Sequence, residues 1–302
     1  MLVPMDAQPF VMCEAILKNF LLNYPMVLWD STVLEKLQTL FNTSTSCSTL
    51  DFKNECILVL LLHVSKFDIS FELLQELIDN TSEIKIMNFC DASARLLNID
   101  LNQLFLTVSK TTRIIKLIET MWYPLTQSMF DVNEYYSWIS SIKIHFIKVP
   151  VAFNIRGHCG RTSIYINFNY FYHNYVLDKD DAEHYRELLS LDLITLCLYE
   201  FIHEIVRLKM NNVNFSTPHD SSSNIKEAGR EIEKLLFNCC PDWNKIYKRQ
   251  LLKINAVRNI YTTLLNDEEF VLPSIPDSLC RTSIYSGIDA SQSSLIDVVY
   301  DI

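Results

Sequence analysis

One stretch, Phe201-Ile202-His203-Glu204-Ile205-Val206-Arg207, carries most of the residue types and spacing of a hydrolytic metal site. A His-Glu-x-x-His run puts two imidazoles one helical turn apart on one face, where both reach a single metal ion. The metal acidifies a bound water, and the carboxylate between the ligands takes the proton. Here the first His and the Glu are present, and Arg207 stands where the second His belongs. Arginine stays protonated and has no lone pair for a cation, so Arg207 cannot ligate. Twenty residues beyond it, the run Glu227-Ala228-Gly229-Arg230-Glu231 offers two carboxylates one helical turn apart.

A His-Glu helix followed at that distance by Glu-x-x-x-Glu on a second helix resembles the gluzincin metallopeptidases, the thermolysin-like branch of the zincins. The resemblance covers residues 142 to 237. It implies His203 as first zinc ligand, Glu204 as general base, Glu227 as third ligand and Glu231 as the carboxylate that orients His203. It also implies that the strand ahead of the helix, Arg161 to Tyr170, is an edge strand along which a peptide aligns. Catalytic zinc needs three protein ligands and an open position, and two ligands are too few. A guanidinium matches carboxylates in bidentate geometry, so Arg207 is expected to replace the metal as the positive centre, paired with Glu227 and with Glu204 or Glu231 as further partners. His219, in Ser216-Thr217-Pro218-His219-Asp220, is the candidate substitute ligand, although a solvated loop side chain also explains it. Glu227 fits an Asn224-x-x-Glu227 capping box as well, and Ala228 with Gly229 fits close helix packing. Cys159 beside His158, and Cys197 near His203, are read as buried structural cysteines.

These residues need elements to hold them. Ile142 to Val149 alternates at period two and is β-branched and aromatic, which predicts a strand. Arg161 to Tyr170 predicts a second, after a turn containing Gly157 and Gly160. Leu188 to Asn212 is long enough for one helix, with Leu191, Ile194, Leu198, Ile202, Ile205 and Leu208 as its apolar stripe and His203 and Arg207 on the adjacent strip. Upstream, helix-compatible spacing covers Val11 to Leu22, Ser31 to Phe41, Glu55 to Ser65, Ser70 to Ile78 and Thr111 to Tyr123. No polar cluster there suggests chemistry, and the region reads as a scaffold or docking unit.

The expected fold is α+β: a mostly helical N-terminal region over 1–135, then a zincin-like region over 136–265 with a small antiparallel sheet and two site helices. Residues 266–302 hold seven acids and one base among seven serines, and read as a poorly ordered acidic tail. Lys245, Lys248, Arg249, Lys253 and Arg258 read as a solvated helix face or a contact for that tail.

Composition narrows the function. The 302 residues are 49% hydrophobic and 12% aromatic, enough for a full core. A net charge of −10 argues against nucleic acid or an anionic membrane as partner. Four glycines leave no phosphate-cradling loop. The longest apolar run, Cys56 to Leu62, falls short of a membrane span. Nine cysteines without CxxC spacing suit reduced thiols, and the first residues lack an export signal, so a cytoplasmic protein is expected. The expected function is a catalytically degenerate metallopeptidase-like protein that binds extended peptide or protein and needs no cofactor. Two alternatives stand beside it: an active zinc metallopeptidase with an unusual third ligand, and a helical interaction protein without peptidase ancestry.

Overall fold

The computed structural model describes residues 83–150, 155–177, 182–212, 228–243, 245–246 and 254–267, with Leu58, Leu61, Ile275, Leu279 and Cys280. The expected helices Val11 to Leu22, Ser31 to Phe41 and Ser70 to Ile78 lie outside these residues, as do Glu227, His219 and the tail from 281 onward. Of the helix expected over Glu55 to Ser65, only Leu58 and Leu61 are described; both are helical and buried.

Among the described residues the chain begins with β1 (Lys85–Ile86), α1 (Phe89–Arg95), α2 (Leu101–Ser109), α3 (Thr112–Thr126) and α4 (Val132–Ser141). Each of these helices starts on a side chain that captures otherwise unpaired amides: Asn88, Asp100, Thr111 and Asp131 accept from backbone N–H groups two or three residues ahead. The N-terminus of α3 has a second cap from far away. Asp267 accepts from the amides of Thr112 at 2.7 Å and Arg113 at 3.1 Å.

Strands β2 (Lys143–Lys148), β3 (Gly157–Cys159) and β4 (Ser163–Asn167) follow, then the single-turn α5 (Phe168–Phe171) and a π-helical turn, Tyr172–Val176. The sheet has the order β1-β2-β4-β3. Strand β1 is antiparallel to β2, β2 is parallel to β4, and β3 is antiparallel to β4. Two expectations are corrected here. The sheet is mixed rather than antiparallel, and the strand within Arg161 to Tyr170 is not an edge. After β2 the chain passes beyond the place that β4 will take, forms β3 there, and turns back through Gly160, whose amide donates to Ser163 O at 2.7 Å. What reads in sequence as a glycine turn is therefore partly strand. A Cβ at Gly157 would stand 2.6 Å from the carbonyl oxygen of Tyr165, so this edge strand needs a glycine to approach its neighbour. Strand β4 also stops at Asn167, short of Tyr170. The buried Asn167 side chain accepts from Val149 and Asn169 amides and donates to Ile155 O, converting strand into helix within one residue.

Helix α6 (Ala182–Met210), α7 (Ala228–Phe237) and α8 (Ile254–Asn266) complete the described chain. The stripe residues Leu191, Ile194, Leu198, Ile202 and Ile205 are buried, but so are Leu189, Leu193, Leu196, Cys197, Phe201 and Val206. A helix apolar all round lies inside a core rather than on its surface. Accordingly α6 packs on α2, α3, α7, α8 and both β3 and β4. Phe201 meets Phe105 of α2 and Tyr135 of α4 with ring centroids 5.4 and 5.8 Å apart. Among the described residues one buried core cluster draws on positions from Ala92 to Cys280. The helix ends at Asn211, which takes a left-handed φ of 48°, while Asn212 donates back to Arg207 O at 3.1 Å.

Candidate functional site

A helix buried all round must satisfy or bear its polar residues. Near its start, Asp192 is fully buried, ion-paired with Arg156 and hydrogen-bonded by the Tyr175 hydroxyl at 2.6 Å. That network joins the β3 approach, the π-helical turn and α6, and its charges are matched.

The second polar group is different. Glu200, Glu204 and Arg207 occupy positions i, i+4 and i+7 of α6, one face of the helix. That face meets the sheet end where β3 and β4 lie. Glu204 has no exposed surface, and neither of its carboxylate oxygens has a hydrogen-bond partner among the described residues. Burial pushes its carboxyl well above the ordinary range; Arg207 pulls it back down, and Glu200 adds to the upward shift. Arg207 is half-buried, and its Nη1 donates to Cys159 Sγ at 2.9 Å. The Cys159 thiol is pushed up to about 12, by burial first, with Arg207 opposing and Glu200 and Glu204 reinforcing. A thiol so poised is no nucleophile at neutral pH. Tyr165 is likewise pushed up to about 12, chiefly by burial, with its Ser163 hydrogen bond opposing and Glu204 adding to the rise.

Behind this cluster three rings stack across three strands. His145, Tyr165 and His158 are register partners on β2, β4 and β3, with centroid separations of 5.5 and 4.7 Å. Burial, helped by Lys143, lowers His145 to about 4.

His203 takes another direction. It is half-buried with its ring edge-on to Tyr199 at 5.3 Å. The Tyr199 ring in turn fills the space beside Gly229, where a Cβ would stand 2.5 Å from Tyr199 Cδ2. Gly229 thus lets α7 close on α6, the packing role expected of it. Glu231 on α7 lies 3.5 Å from Lys234 Nζ; the buried acid of that helix is Glu233, which accepts from Trp243 Nε1 at 3.3 Å.

The structure therefore brings together Glu204 and Arg207 with Cys159, Glu200 and Tyr165, and sets His203 on the α7 side. The residue in the second-ligand position is a permanent cation whose guanidinium donates to Cys159, and among the described residues, which include neither Glu227 nor His219, no three His, Cys, Asp or Glu side chains are arranged to hold a metal ion. Glu200 and Cys159 were the residues that motif spacing overlooked. Glu200 was legible as the i−4 partner of Glu204, whereas Cys159 reaches the site only through sheet topology. Among the described residues no helix is long and apolar enough to cross a membrane. No protein-family model, curated protein or solved structure matches the chain.

Proposed function

We propose that the chain is a catalytically degenerate metallopeptidase-like protein, of gluzincin ancestry, that engages peptide or protein without hydrolysing it. The observation that carries this reading is Glu204: a carboxylic acid with no exposed surface, set beside Arg207 where a ligand would be. A general base must reach water, and this one does not. A buried acid that has no hydrogen-bond partner among the described residues is also a cost of about 1–3 kcal/mol there, which a helix serving only as scaffold has no reason to bear. Descent from a hydrolytic site accounts for its presence, and Arg207 accounts for the loss of hydrolysis. Peptide alignment along Arg161 to Tyr170 is not part of the proposal, because β4 is covered by β2 and β3 on its two sides. The reading places the protein in the cytoplasm, with peptide or protein rather than nucleic acid as its partner.

Metal analysis of the full chain after incubation with zinc tests it. The wild type should hold no stoichiometric zinc and cleave no peptide pool. Arg207→His tests whether His203 can still turn toward position 207: zinc gained there, and lost again in Arg207→His/His203→Ala, supports the ancestry. Stoichiometric zinc in the wild type, removed by His203→Ala, overturns the degenerate-site reading; an Arg207→His protein that folds but ignores zinc shows a pocket altered beyond this one substitution.

A further inference from the structure

The cysteine pattern predicts reduced thiols, yet Cys239 and Cys280 are bonded to each other across 41 positions, with Cα atoms 6.0 Å apart. That spacing is what a disulfide needs. The bond sits within a small docking contact. Asp242 N–H donates to Leu279 O at 2.8 Å, and Pro241 and Cys280 form an antiparallel bridge. Ile275, Leu279 and Cys280 are buried and belong to the main core. Cys240, next in the chain, stays out of the bond: its Sγ donates to Arg230 O at 3.6 Å. We propose that Cys239–Cys280 is a reversible redox latch that ties Leu279 and Cys280 to the end of α7.

The accessibility of the two sulfurs sets the direction of opening. Cys239 is half-buried and Cys280 is buried, so a low-molecular-weight thiol of the glutathione type attacks the Cys239 sulfur. The S–S bond breaks, Cys280 leaves as thiolate and takes a proton, and a mixed disulfide remains on Cys239. A second thiol molecule displaces Cys239, which leaves with a proton in its turn. Overall the protein disulfide gains two electrons and two protons, and two small thiols become one small disulfide. Closure is the reverse, with that small disulfide as oxidant. In a reducing compartment such a bond is transient and responsive rather than structural.

The full chain equilibrated across reduced and oxidised glutathione mixtures, then alkylated under denaturing conditions, reports the latch by mass. Cys239 and Cys280 should become protected together in one two-electron transition, with Cys240 alkylated throughout. Trypsin needs several extended residues around its cleavage site, so release of residues 282–302 by cutting after Arg281 should be about tenfold or more slower in the oxidised protein. Cys280→Ser should be cut at the fast rate in every mixture while keeping the helical circular dichroism of the wild type. Alkylation of both sulfurs in the most oxidising mixture, pairing of Cys240 in place of Cys239, or equal cutting of both forms overturns the proposal.

Discussion

Replacing Glu204 with glutamine removes the ionisable group and keeps the side chain's shape, so any change in how stability varies with pH belongs to the proton. The folded carboxyl sits well above its ordinary value of 4.5 because burial disfavours its charge. Below that pH both folded and unfolded chains carry the proton, and the group contributes no pH dependence. Above it, the unfolded chain releases the proton while the folded chain keeps it, so the wild type loses stability as pH rises. The slope is about 1.4 kcal/mol per pH unit, and it ends where the folded carboxyl ionises. Arg207 brings that upper end closer but does not reverse the sign. His145 works in the opposite sense. Its folded value of about 4 against an ordinary 6.5 means that stability is lost as pH falls through that interval. Between 4.5 and 6.5 the two contributions oppose each other, so the wild-type curve alone does not isolate Glu204. The informative quantity is the difference between Glu204→Gln and wild type, both of which carry His145. Urea unfolding followed by tryptophan fluorescence should show the glutamine variant gaining on the wild type from pH 4.5 upward at that slope. A difference that is constant with pH refutes the reasoning, because Glu204 would then ionise as an ordinary exposed acid does. A difference that shrinks with rising pH refutes it more strongly, since Arg207 would then dominate burial.

Three further outcomes follow from the same geometry. His145→Gln should remove an acid sensitivity of up to about 3 kcal/mol between pH 6.5 and about 4, read from the same urea curves. Gly229→Ala forces a methyl group into the Tyr199 ring and should cost about 1–3 kcal/mol; pairing it with Tyr199→Ala should recover part of that loss in thermal melts, and simple additivity would place the contact elsewhere. Asp267→Ala strips the long-range cap from α3 and should cost about 1 kcal/mol, with hydrogen exchange at the Thr112 and Arg113 amides rising selectively.

What was readable in the chain was whatever local physics decides. The period-two run after Ile142 forms β2, the apolar spacing after Thr111 forms α3, and the long run from Leu188 lies within α6. Side-chain caps and helical spacing act within a few residues, so the sequence alone placed His203, Glu204 and Arg207 on one continuous helix. It could not say that β3 would insert beyond β4, because strand order depends on where the chain goes between strands and not on the strands themselves. That insertion is what carries Cys159 to Arg207, forty-eight positions away, and buries Glu204 under the sheet edge. The motif named the residues that the expected metal-site chemistry would use. Only the tertiary structure decided that the acid among them is shut away from water, beside a cation that donates to a thiol brought in by the sheet.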